Sequence, residues 1–167
     1  MRAITRRRFA GGGMMLLLSA CASKFQTYNG PEVTRLQLFK GQRQLLLFND
    51  TNVLRQYKVD LGFAAEGPKQ FEGDGKTPEG SYIIDRRNPN SLFHLSIGIS
   101  YPTEAQIAYA AARGRSAGGD IFIHGGPRIG IDKTGPDWTA GCISVSDREI
   151  RKIYAMVNNG TPIDIFA

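Results

Sequence analysis

Residues Ile121–Val145 read IFIHGGPRIGIDKTGPDWTAGCISV. A short apolar strand delivers His124 at its end, followed by Gly125-Gly126. Fourteen residues then separate His124 from Thr139-Ala140-Gly141-Cys142, and a second apolar segment, Ile143–Val145, follows the cysteine. Working outward, short β-prone segments dominate. Thr34–Phe39 and Gln44–Asn49 flank Lys40-Gly41-Gln42-Arg43 at hairpin spacing. Val53–Gly62, Gly80–Asp85, Phe93–Ser100, Asp120–His124 and Pro162–Phe166 also read as strands. Two helices are expected. One is Thr103–Arg113, with Thr103 as N-cap and Gly114 as stop. The other is Ser146–Val157, which opens with a capping-box pattern and places Ile150, Ile153, Tyr154 and Val157 on one stripe. The architecture predicted is mainly β, mixed sheets with two packed helices.

The chemistry follows from what a thiol needs to attack an amide. It needs a base, because a free cysteine ionises only near pH 8.5. The base needs a partner that fixes its tautomer. The negative charge that develops needs donors, often backbone N–H groups. His124 can be the base for Cys142, and a nearby carbonyl such as that of Gly125 can accept from its other nitrogen. The backbone from Thr139 through Ala140 and Gly141 to Cys142 can offer amides to an oxyanion. The bland reading of a lone cysteine is a small buried hydrophobe. Zinc held by Cys142, His124 and His94 would lack both a second cysteine and a short-range ligand pair, so no metal or other cofactor is expected.

The 167 residues suit one domain, and the net charge of +6 is unevenly spread. Arg2, Arg6, Arg7 and Arg8 fall within residues 1–21, which hold no acidic residue, so the remainder carries only about +2. That balance argues against a nucleic-acid partner. Residues 1–21 read as a signal peptide, too short in its apolar run to span a bilayer. Leu18-Ser19-Ala20-Cys21 resembles the bacterial lipobox, in which the cysteine is acylated and becomes the mature N-terminus. Thr5–Phe9 resembles a twin-arginine export signal. With Cys21 lipidated, Cys142 is the one remaining thiol. Residues 22–32 read as a tether and 33–167 as the folded domain.

The segment around His124-Gly125, Thr139, Gly141 and Cys142 resembles the L,D-transpeptidase catalytic domain of the YkuD type. That family's signature is His-Gly, a spacer, then Ser/Thr-His-Gly-Cys. Upstream, Gly73-Asp74-Gly75-Lys76-Thr77-Pro78-Glu79-Gly80-Ser81-Tyr82 resembles a second block of the family. Phe93-His94-Leu95-Ser96 and Ser100-Tyr101-Pro102 look like its YafK-type branch. Ala140 stands where the signature has a second histidine, and Ser144 where it has Asn or Arg.

The resemblance implies a β-sandwich and a Cys142 thioester formed on peptidoglycan stem peptides. The acyl group then passes to an amine, or to water in a hydrolase that trims stems or releases a wall-linked lipoprotein. It also implies that His94 and Tyr101 lie near the substrate, and that His94 could supply the missing donor. The chain would work in the periplasm, held at the envelope by its lipid, with the outer membrane favoured by Ala22. A catalytically idle peptidoglycan-binding lipoprotein is the alternative.

Overall fold

The computed structural model describes residues 23–167. The lipobox cysteine, Cys21, lies outside the described residues. Ten elements follow one another: β1 (Arg35–Phe39), β2 (Gln44–Asn49), β3 (Asn52–Lys58), β4 (Gly80–Asn88), β5 (Ser96–Ile99), α1 (Glu104–Ala111), β6 (Phe122–His124), β7 (Ile143–Ser144), α2 (Asp147–Met156) and β8 (Pro162–Phe166). The strands form one eight-stranded mixed sheet in the order β3-β2-β1-β8-β4-β5-β6-β7.

The hairpin of β1 and β2 arises from period-two alternation. Leu36, Leu38, Leu45 and Leu47 are wholly buried while the residues between them stay partly exposed, and Phe48 is buried beyond the register shift. β8 adds parallel to β1, so the last strand of the chain lies beside the first. β4 is the hinge of the sheet. Its first half pairs with β8 and its second half with β5, with a register shift between Ile84 and Arg86. A bulge bends a strand and increases its twist, and here the sheet curls over on itself. The two layers predicted from the sequence are therefore the two halves of one curled sheet. β5 is buried along its whole length, as a central strand must be.

Both predicted N-caps are present. Thr103 and Gln106 form a reciprocal capping box on α1, and Ser146 and Glu149 do so on α2. Ile150, Ile153 and Met156 bury the inner stripe of α2. No helix of the described residues is long and apolar enough to cross a membrane.

Two strands are shorter than their composition suggests, and both breaks matter for the site. Phe93–Leu95 leaves the sheet because His94 adopts a left-handed φ of 70°. β3 stops at Lys58, after which Asp60 bridges to Ser144 and Gly62 to Thr139. Those bridges tie the continuation of β3 to the chain around β7 and close the curl.

Candidate active site

β6 and β7 run side by side in parallel, with Ile123 opposite Ile143 and His124 opposite Ser144. Side chains alternate across a strand. Ile123 and Ile143 therefore plunge into the core, both wholly buried. His124 and Ser144 share the other face, with Cys142 one step before the strand. The alternating apolar residues on either side of His124 and Cys142 thus bring the two to one place.

The His124 ring is buried. Its Nδ1 lies 2.7 Å from the Gly125 carbonyl oxygen. A carbonyl can only accept, so Nδ1 carries the proton and Nε2 is left as a free lone pair. The Ser144 hydroxyl donates to the same carbonyl at 3.1 Å. Phe93 stacks on the imidazole at 4.4 Å between centroids, and Trp138 meets it edge-on at 5.7 Å. The Cys142 thiol accepts from the Phe122 amide at 3.4 Å and donates to the Asp120 carbonyl at 3.5 Å. Asp120 reaches it through a left-handed φ of 53°.

Burial dominates both ionisations. It pushes the imidazole of His124 below its ordinary value, against the pull of the Gly125 hydrogen bond. It pushes the thiol of Cys142 up, against the Phe122 amide. Both shifts favour the neutral form. Both groups are thus biased toward a neutral thiol beside a neutral imidazole.

The loop before the cysteine is clamped. Thr139 is buried; its hydroxyl donates to the Cys142 carbonyl at 2.7 Å and accepts from the Gly141 amide at 3.1 Å. Its own amide donates to the Leu61 carbonyl. Asp137 accepts three hydrogen bonds from Arg43, two from Nε and one from Nη2, and one from the Leu61 amide, which fixes the entry to the loop. Gly141 has φ 135°, and a Cβ there would lie 2.6 Å from the Lys76 carbonyl oxygen. That close approach gives the Gly73–Gly80 block its role: it is the floor beneath the cysteine loop. Thr77 accepts from the Gly62 amide, and Asp74 gathers Lys69 and three backbone amides to hold the turn. Among the described residues, the amides of Ala140 and Cys142 donate to no acceptor, which leaves both available to an oxyanion.

Two compartments flank the pair. The larger, about 540 Å³, is lined by Phe63, Lys133, Trp138, Thr139 and Ala140. The smaller, about 260 Å³, is lined by Asn88, Ser91, Leu92 and Asp120. Phe93, His124 and Cys142 belong to both.

Tyr101 is a correction. It is core, not cleft, because its hydroxyl finds the Ala117 carbonyl at 2.9 Å and burial lifts its ionisation to about 12. His94 lines neither compartment. Its left-handed backbone packs it against Gly125, with Nε2 buried and unpartnered among the described residues. Trp138 walls the larger compartment. Arg128 is spent on Asp132, which it bridges at 2.7 Å. The sequence reading also missed Phe93, whose ring is placed by the break at His94, and the Ser144 bond to Gly125. The latter follows from the parallel register that sets Ser144 opposite His124, which no pattern in the sequence encodes. Among the described residues, no group of three or more His, Cys, Asp or Glu could hold a metal ion.

The family model for the YkuD L,D-transpeptidase catalytic domain matches residues 35–165. The chain belongs to the L,D-transpeptidase catalytic domain family. It is 31% identical over 131 residues to the "Putative L,D-transpeptidase YafK" of Escherichia coli K12, covering 75% of this chain and 43% of that protein. The chain thus spans under half the length of this L,D-transpeptidase relative. Among solved structures, the helical cell shape determining protein Pgp2 of Campylobacter jejuni superposes with a TM-score of 0.62 at 23% identity, over 83% of this chain and 49% of that one. An L,D-transpeptidase from Mycobacterium smegmatis superposes with a TM-score of 0.53 at 18% identity, over 83% and 60%. At these identities the two structures support the L,D-transpeptidase fold alone.

Proposed function

We propose that this chain is a cysteine-dependent peptidoglycan L,D-transpeptidase that works through a thioester on Cys142. The observation that carries the reading is the contact of His124 Nδ1 with the Gly125 carbonyl, which commits Nδ1–H and leaves Nε2 unprotonated beside a cleft that His124 and Cys142 both line. In the proposed reaction, the Cys142 sulfur attacks the carbonyl of an L-centre in a stem peptide while Nε2 takes the thiol proton. The oxyanion is met by the amides of Ala140 and Cys142. His124 then gives its proton to the departing amine, and the C–N bond breaks to leave a thioester. An incoming amine attacks that thioester, Nε2 takes the amine's proton, and the thiol is restored.

Compartments on both sides of Cys142 give room for a donor and an acceptor at once, which favours transfer over hydrolysis. The chain would act in the periplasm, anchored through lipid on Cys21. Two measurements test this. Intact mass after exposure to a carbapenem, which acylates the nucleophilic cysteine of this family, should show one adduct that is lost in Cys142→Ala. No adduct on the wild type would leave an idle peptidoglycan binder. Muropeptide profiles of cells with wild-type or Cys142→Ala protein should show 3–3 crosslinks, or wall-attached lipoprotein, only with the wild type. Their loss in the presence of the wild type would instead mark an L,D-amide hydrolase.

A further inference from the structure

The segment just after Cys21 is held against the rim of the smaller compartment. The Lys24 ammonium donates to the carbonyls of Pro89 and His94, the latter at 3.4 Å. The Phe25 ring lies 6.1 Å from that of Tyr154 on α2. Lys24 thereby grips the loop that carries Leu92 and Phe93, two residues lining the smaller compartment. A chain advances at most about 3.6 Å per residue. Cys21 precedes Lys24 by three residues, a span of at most about 11 Å of extended chain.

The surface around this point joins apolar groups to cations. Leu92 is 77% exposed and Phe25 50%. Arg148 is exposed and lies six residues before Tyr154 on the same stripe of α2. In the same turn Glu149 closes the cap on Ser146, and Asp147 accepts from the Gly126 amide. Exposed apolar side chains beside the Lys24 and Arg148 cations suit the headgroup layer of a lipid surface.

We propose that the face formed by Lys24, Phe25, Leu92 and Arg148 lies on the surface of the membrane that anchors the chain, with the smaller compartment opening toward that membrane. The proposal rests on the reading of Cys21 as lipidated. It goes beyond anchorage, because a lipid on a free tether would leave the domain without orientation.

The test uses the full lipidated chain in phosphatidylethanolamine–phosphatidylglycerol vesicles with brominated acyl chains, which quench nearby tryptophan. Leu92→Trp places a reporter on the proposed face. Ile107→Trp places one on α1, beside Gln106, which bonds to Tyr82. Tyr82 lies about 20 Å along β4 from Asn88, six residues at about 3.3 Å each. Both positions are exposed, so the fold tolerates them. The expected result is loss of most of the emission added by Leu92→Trp, and none of that added by Ile107→Trp. Intact mass reports acylation of Cys21 in the same samples. An acylated chain with equal quenching at both positions, or with none at Leu92→Trp, overturns the orientation and leaves the anchor standing. A chain without the acyl mass overturns the anchor and the proposal with it.

Discussion

Replacing Thr139 by Val tests the clamp on the nucleophile with almost no change in shape. The Thr139 hydroxyl serves two backbone groups, the Gly141 amide at 3.1 Å and the Cys142 carbonyl at 2.7 Å. Thr139 is only 4% exposed, so water does not easily replace it. Leaving a buried donor or acceptor unpaired costs about 1–3 kcal/mol each, so the pair amounts to roughly 3 kcal/mol. Expressed as stability, that lowers the melting temperature by roughly 6–12 °C. Part of the loss falls on the loop that aims the thiol. At 1.4 kcal/mol per tenfold, carbapenem acylation followed by stopped-flow and intact mass should slow by about 10- to 100-fold. Thr139→Ser keeps the hydroxyl and should acylate within a few-fold of wild type. A Val variant that acylates at the wild-type rate, whatever its melting temperature, refutes the clamp.

Alkylation of Cys142 by iodoacetamide should keep rising with pH through the ordinary thiol range, with no plateau near neutrality, because burial raises the thiol; an early plateau would reveal a preformed thiolate. His124 is depressed in the fold from 6.5. As pH falls, the unfolded chain takes the proton first, so the stability this histidine contributes is present above pH 6.5 and declines below it. His124→Gln should flatten that limb of the urea-denaturation profile and abolish acylation. Gly141→Ala meets both a φ of 135° and the Lys76 carbonyl at 2.6 Å; it should lower the melting temperature and slow acylation more than Thr139→Val does. Tyr101→Phe should cost about 1 kcal/mol of stability through the lost bond to Ala117, and His94→Ala should likewise leave acylation within a few-fold of wild type. A large rate loss in either would return that residue to the cleft.

What the sequence made legible is what local chemistry dictates. Gln44–Asn49 is a short apolar run, Leu45–Phe48, bounded by polar residues, and is found as a strand with those limits. Thr103 and Ser146 cap their helices because their box partners, Gln106 and Glu149, sit three residues on. Gly125 could be named as the acceptor for His124 because a chain leaving a strand presents that carbonyl to its neighbour. The rest depends on contacts that leave no periodic trace. His94 is β-prone by neighbourhood, yet tertiary packing against Gly125 holds it left-handed and cuts β5 short. Tyr101 sits in a motif block, yet its hydroxyl is satisfied inside the core. The curl at β4 comes from a register shift, which composition does not encode.

The bridges Asp60–Ser144 and Gly62–Thr139 bear on timing. They join an early stretch of chain to a late one, and such non-local pairings form slowly because loop-closure entropy is spent before they contribute. Until they form, the Thr139 amide lacks the Leu61 carbonyl and the Ser144 amide lacks the Asp60 carbonyl. The backbone around the cysteine is therefore completed by segments from far earlier in the chain, and it takes its final form only once those distant stretches have met.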